Sequence, residues 1–297
     1  MASSSVLISA PAKINLYLAV SGLRADGYHD VSTVLQALEF GDELCVARAD
    51  RFSFVSSPAL DIPDADNLVT RAARELAATL AIEPTFTFRL AKRIPSGAGL
   101  GGGSADAAAA LAGMATLLGL ASDDPRVCAA AAAVGTDVPF FLTGGAALYG
   151  GRGEQFVRDL PTLETDVVLV KPPESISTAE AYAAFDRMPH SPAPGHDPVE
   201  DALRFSDRAA LSSALYNNMT QAATGLVAKV QETLAWVDAR EGVTGSLLCG
   251  SGSAVFALCE DAASAMSIAE QARARGMWSM ATRTSRDGVR VRVEECP

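Results

Sequence analysis

Residues 95–111 read PSGAGLGGGSADAAAAL: five glycines from Gly97 to Gly103, then Ser104 and an alanine-rich run. Glycine accepts positive φ and lets a ligand approach the main chain closely. Alanine is the best helix former, so the run predicts a helix over 104–118 with Ser104 as N-cap and Gly119 as stop. Such a helix turns its unpaired N–H groups and positive dipole end back onto the glycines, which makes an anion site suited to phosphate. The preceding TFTFRL, residues 85–90, alternates polar and apolar and reads as a strand.

Two familiar phosphate loops do not fit. A Walker loop requires G-x-x-x-x-G-K-[ST], and no lysine follows any of these glycines. The dinucleotide pattern G-x-G-x-x-G is present at Gly97, Gly99 and Gly102. Its first strand, however, should be a continuous apolar run buried on both faces, not an alternating one. Asp123 and Asp124, the acids that follow, open a second alanine-rich helix where that fold needs the end of a second strand.

The rest of the composition narrows the class. At 297 residues the length favours two domains. A net charge of −11 with no basic cluster argues against nucleic acid or an anionic membrane as partner. No apolar run reaches transmembrane length, and the first residues, MASSSVLISAPAKINLYLAV, lack the basic start of a signal peptide. The cysteines at 45, 128, 249, 259 and 296 show no metal-ligand spacing and indicate neither a disulfide framework nor a zinc site, so a reducing cytoplasm is expected. No metal-ligand set is assigned.

Along the chain, strands are expected on both sides of Pro11, then over 31–40 and 42–55, with a helix over 70–80. Only four of the 24 basic residues are lysines, and one of them, Lys13, lies in an apolar strand; it reads as a needed compact ammonium or as an edge lysine that snorkels. Asp26 and Gly27 signal a turn that presents Tyr28 and His29. Asn67 reads as a helix cap or a ligand contact, and Asp137, between a helix end and an apolar run, reads as a cap. The pattern restarts at Thr165. A strand over 166–170, a helix opening at Ser177, a proline-rich loop over 188–198 with solvent-facing His190 and His196, long helices to about 240, strands over 245–249 and 254–259, a helix over 261–275 and strands over 278–283 and 289–293 follow.

P-S-G-A-G-L-G-G-G-S-A, residues 95–105, resembles at every position the phosphate loop of the GHMP kinases. PAKINLYL, RADGYH, DNLV, GTDVPFFL and CGSGSAVFAL resemble further motifs in that superfamily's order, and RADGYH is similar to one branch only, which phosphorylates a methylerythritol that carries a cytidine diphosphate. The resemblance implies an α+β fold: an N-terminal α/β domain with the glycine-rich loop, residues 1–160, and a ferredoxin-like C-terminal domain, residues 161–297. It implies ATP and Mg²⁺ as cofactors, with Ser104 as one candidate ligand of the ion. Pro95, Ser96, Gly97, Ala98, Gly99, Leu100, Gly101, Gly102, Gly103, Ser104 and Ala105 would hold the nucleotide phosphates, with Asn67 and Leu68 near the adenine. Lys13 and Asp137 would be catalytic. Asn15, Tyr28, His29, Thr178 and Tyr182 would bind the substrate, with aromatic rings on both sides of its cytosine. A homoserine or mevalonate kinase, or an inactive nucleotide-binding relative, is the alternative. Oligomeric state is left open.

Overall fold

A hairpin of two long strands forms the spine of the molecule. The computed structural model describes residues 5–24, 27–189 and 191–292; Asp26, His190 and Cys296 lie outside them. Strand β1 (Ser5–Leu23) pairs antiparallel with β2 (His29–Arg48) along nearly its whole length. The break expected at Pro11 is absent. Proline cannot donate to a ladder and is normally excluded from a central strand, but a register shift between Pro11 and Lys13 absorbs it. Gly41 opposite makes this possible, because a Cβ there would lie 2.2 Å from the Ala10 carbonyl oxygen.

The remaining elements in order are β3 (Ser53–Ser57), α1 (Leu68–Thr79), β4 (Phe86–Ala91), α2 (Gly102–Leu118), α3 (Pro125–Val134), α4 (Val138–Thr143), β5 (Ala146–Gly150), β6 (Gln155–Leu160), β7 (Asp166–Lys171), α5 (Thr178–Asp186), α6 (Asp197–Arg204), α7 (Arg208–Ala214), β8 (Tyr216–Asn217), α8 (Thr220–Leu226), α9 (Ala228–Asp238), β9 (Val243–Leu248), β10 (Val255–Cys259), α10 (Ala262–Ala274), β11 (Trp278–Arg283) and β12 (Arg290–Arg292).

The larger sheet runs β12-β1-β2-β4-β3, with β5 on the first half of β2, β6 beyond β5 and β8 beside β1. Helix α2 lies against β1 and β2 in its core. It is apolar almost all round, and Ala105 and Ala107 to Ala110 are fully buried. Small side chains let it sit close to the sheet: a Cβ on Gly113 would meet Val46 Cγ2 at 2.7 Å and Ile8 Cδ1 at 2.9 Å. Overfilling such a contact costs about 1–3 kcal/mol.

The smaller sheet is antiparallel, in the order β11-β7-β10-β9, with α9 and α10 packed on it. Renumbered within this unit, the order is 4-1-3-2 with helices after the first and third strands, which is the expected ferredoxin-like arrangement.

Several expectations are corrected. The helix at the glycine loop begins at Gly102, and its N-cap is Gly101 at φ 73°, not Ser104. The long helices before residue 240 are four short ones interrupted by β8, which adds to the larger sheet in parallel with β1. Strand β6 was not foreseen, and β12 pairs with β1 in the larger sheet. His196 is not simply solvent-facing: its Nδ1 lies 2.7 Å from the buried Glu200, which Arg158 also grips through both oxygens. Cys45 is disulfide-bonded, which the cysteine spacing did not indicate, while Cys128, Cys249 and Cys259 are free. Among the described residues no helix is long and apolar enough to cross a membrane.

Candidate active site

The glycine loop, the N-terminus of α2, the middle of β1 and the 249–253 turn converge on a cleft of about 690 Å³. The glycines divide by task. Gly97, Gly99 and Gly101 take φ of +63°, +77° and +73°, the left-handed region that side chains resist. Gly99 lies against the turn: a Cβ there would stand 1.9 Å from the Cys249 carbonyl oxygen. The Ser253 and Ala254 N–H groups donate to the Gly97 and Ala98 carbonyls at 3.2 and 3.1 Å. Gly101 makes room for the Lys13 stem and the Phe141 ring, 2.9 and 2.7 Å from where a Cβ would sit. A Cβ on Gly103 would meet only Leu68, at 3.4 Å. Three glycines thus shape the loop against protein, and Gly103 faces open cleft. No side chain caps α2, so its first N–H groups face the same space. This is a cradle that a phosphate fits.

Lys13 enters from β1, where its own N–H donates to the Leu100 carbonyl at 3.0 Å and fixes strand to loop. A buried ammonium needs partners. Nζ donates to Asn15 Oδ1 at 2.8 Å and lies 3.7 Å from Asp137 Oδ2. Asp137 occupies the cap position of α4, but its side chain does not cap. It stays about one-third exposed and looks into the cleft, whereas the Lys13 side chain is only 6% exposed. The pair places a partly exposed carboxylate and a fixed positive charge at one spot beside the phosphate cradle.

Asn67 combines its two readings. Its side chain accepts from the Val69 N–H at 2.8 Å, so it caps α1, and with Leu68 it lines the cleft. Thr178 and Tyr182 also line the cleft, on α5, whose start is fixed by a capping box between Ser177 and Glu180. Burial, and to a lesser degree Asp137, raise the Tyr182 hydroxyl above the usual phenol range. His29 is buried beneath Tyr182, with ring centroids 5.1 Å apart and Nε2 2.7 Å from Asp186. The structure does not bring every predicted residue to the cleft. Tyr28 is 55% exposed, stacks under the Arg152 guanidinium at 4.6 Å and is not part of the lining. Ala105 is fully buried in the helix core.

Sequence reasoning missed Arg152 and Lys92, both of which face the cleft. Lys92 Nζ donates to Asp42 Oδ2 and Asp106 Oδ2, each at 2.6 Å. One ammonium does not balance two buried carboxylates. Asp42 also accepts from the Arg93 and Ile94 N–H groups. Asp106 Oδ1 has no partner. Burial outweighs Lys92 there and pushes the Asp106 carboxyl up to about 7. The two aspartates raise Lys92 above the usual lysine range although burial opposes them. The two shifts agree: Lys92 is held in its charged form, and burial favours the protonated carboxyl at Asp106. The signal available in the sequence was the rarity of lysine.

Comparison with known proteins shows the family. Residues 67–145 match the GHMP kinases N terminal domain and residues 199–276 the GHMP kinases C terminal model. The chain is 39% identical over 285 residues to a 4-diphosphocytidyl-2-C-methyl-D-erythritol kinase of Nocardia farcinica, covering 92% of this chain and 91% of that one. It is 38% identical to the protein of the same name from Moorella thermoacetica, over 93% and 98% of the two chains. A crystal structure of 4-(cytidine 5'-diphospho)-2C-methyl-D-erythritol kinase superposes with a TM-score of 0.78 at 31% identity, over 94% of this chain and 99% of that one. Homoserine kinase from Cytophaga hutchinsonii has the same fold, with a TM-score of 0.75 at 19% identity over 98% of both chains.

Proposed function

The chain belongs to the GHMP kinases, with 4-diphosphocytidyl-2-C-methyl-D-erythritol kinases as its curated relatives, and from that premise we infer that it transfers the γ-phosphoryl group of ATP to the tertiary 2-hydroxyl of 4-diphosphocytidyl-2-C-methyl-D-erythritol. The observation that carries the mechanism is the Lys13–Asp137 pair at 3.7 Å beside an uncapped helix start.

Phosphoryl transfer asks the protein for positioning and charge stabilisation, and little covalent help. The loop N–H groups and the start of α2 hold the ATP phosphates, and Asn67 and Leu68 border the adenine. Asp137 orients the acceptor hydroxyl and takes its proton. An alcohol is too weak an acid to ionise beforehand, so the proton leaves as the new P–O bond forms. Lys13 holds Asp137 and offsets charge on the transferring group. A lysine suits this slot between Asn15 and Gly101, because its ammonium is a compact point charge. Ser104, which borders the cleft and offers a hard oxygen suited to Mg²⁺, would help hold that ion, which would supply neutralisation of phosphate charge. Thr178 and Tyr182 bind the cytidine end.

Asp137→Asn tests the assignment. The variant should fold normally and lose about 10²–10⁴-fold in kcat, the usual general-base contribution. Retention of more than about a tenth of kcat, a loss below that range, would return Asp137 to a structural role.

A further inference from the structure

A chain of three hydrogen bonds runs under Lys13, and its ends dictate its direction. Lys13 Nζ is an ammonium and only donates; it donates to Asn15 Oδ1 at 2.8 Å. The Tyr17 carbonyl only accepts; Thr33 Oγ1 donates to it at 2.7 Å. Between them Asn15 Nδ2 donates to Thr33 Oγ1 at 2.8 Å. Thr33 has a single hydroxyl proton, and the Tyr17 carbonyl uses it. Toward Asn15 the hydroxyl therefore only accepts. Asn15 must turn its NH₂ to Thr33, which leaves its oxygen for Lys13. The reversed amide would set NH₂ against the ammonium and oxygen against oxygen.

The strands build this arrangement. Asn15 and Lys13 share one face of β1, two residues apart, and a register shift between Asn15 and Tyr17 breaks the ladder beside β2, which supplies Thr33. Lys13, Asn15 and Thr33 are 5%, 3% and 4% exposed, so a broken link has little access to water.

We propose that Thr33 is a positioning residue for phosphoryl transfer: it sets the Asn15 amide, and Asn15 in turn holds the Lys13 ammonium beside Asp137. The proposal rests on the role given to Lys13 above. Valine matches threonine in shape but cannot accept. In Thr33→Val the Asn15 NH₂ is left buried without an acceptor and the amide is free to turn against Lys13. Serine keeps the hydroxyl.

The experiment compares kcat and the ATP KM for Thr33→Val, Thr33→Ser, Asn15→Ala, Asn15→Ala/Thr33→Val and Lys13→Met, with melting temperature for each. A turned Asn15 amide deprives Lys13 of its charge-assisted hydrogen bond and lets the ammonium shift from Asp137, which should lower kcat by about tenfold or more in Thr33→Val. The ATP KM should stay within about twofold and Thr33→Ser within about threefold of wild type, since neither change disturbs an interaction that exceeds that factor. In the Asn15→Ala background the valine should have no further effect, because residues that act in series are non-additive. Thr33→Ala enters the same cycle if the valine variant is insoluble. Wild-type kcat in Thr33→Val, an equal loss in Thr33→Ser, or multiplying losses in the double variant would overturn the proposal. Wild-type kcat in Lys13→Met would instead overturn the role of Lys13 itself.

Discussion

Replacing Gly103 by alanine separates the glycines that shape the loop from the one that leaves space for a ligand. Within α2 the change carries no strain: the new methyl meets only Leu68 Cδ1, at ordinary contact distance of 3.4 Å. Exchanging helical glycine for alanine stabilises by about 0.5–1 kcal/mol, which moves Tm upward by no more than about 4 °C. The cost falls elsewhere. Every Cα–Cβ bond of a helix leans toward its N-terminus, so this methyl leans into the cradle where the N–H groups of the first turn point. A phosphate pushed back loses charge-assisted hydrogen bonds worth about 1.5–3 kcal/mol each, and one such loss weakens ATP at least about tenfold. Calorimetric titration with ATP and a thermal melt on the same preparation make the assay. Gly99→Ala is the contrast: at φ +77° and 1.9 Å from a backbone oxygen it should lower Tm as well as affinity. Gly102 is a poorer probe, since its Cβ would strike Lys92 Nζ at 2.8 Å and Ile94 Cγ2 at 2.9 Å. Unchanged ATP affinity in a Gly103→Ala protein of normal Tm would refute the phosphate cradle.

Other outcomes follow from the same geometry. Asp106 is held above its unfolded carboxyl range, near 7, by burial. The native state therefore binds more protons than the unfolded one between about pH 4 and pH 7. Its contribution is fully present below that window and is lost as pH rises through it. Asp106→Asn should remove this decline, so the Tm difference between variant and wild type should grow from pH 4 to pH 7; parallel curves would contradict the protonated state. Lys92→Met leaves Asp42 and Asp106 buried without their ammonium and should destabilise by about 3–5 kcal/mol, read by denaturant unfolding; a loss under about 1 kcal/mol, the worth of an exposed pair, would count against the trio. Tyr182→Ala should raise the KM of the cytidine substrate more than Tyr28→Ala does, because only Tyr182 borders the cleft; the reverse order would show that Tyr28 turns in when substrate binds.

The parts legible in the sequence are those whose chemistry is local. The glycine loop works through its backbone, so composition alone exposes it. The ferredoxin-like unit shows in the spacing of short strands and helices. The cap was misplaced because Gly101 in the left-handed region starts the helix two residues early, and no side-chain pattern marks that. Strand β1 was split at Pro11 because the compensating Gly41 lies thirty positions on, across the sheet. The Asp42–Lys92–Asp106 trio joins β2, the end of β4 and α2, and only the fold brings these together. Tyr28 was placed by motif resemblance, whereas the fold turns its ring under Arg152.

The central claim is that this cleft phosphorylates a sugar alcohol that carries a cytidine diphosphate. A coupled ADP-release assay tests it, with 4-diphosphocytidyl-2-C-methyl-D-erythritol, the methylerythritol phosphate stripped of cytidine, homoserine and mevalonate compared at equal ATP. A site built to hydrogen-bond one group can reject an analogue that lacks it by ~10⁴-fold. The account predicts turnover of the cytidine substrate with kcat/KM higher than that of the other three acceptors by a factor approaching that size. Comparable kcat/KM for the stripped sugar phosphate, or preferred turnover of homoserine or mevalonate, would contradict it.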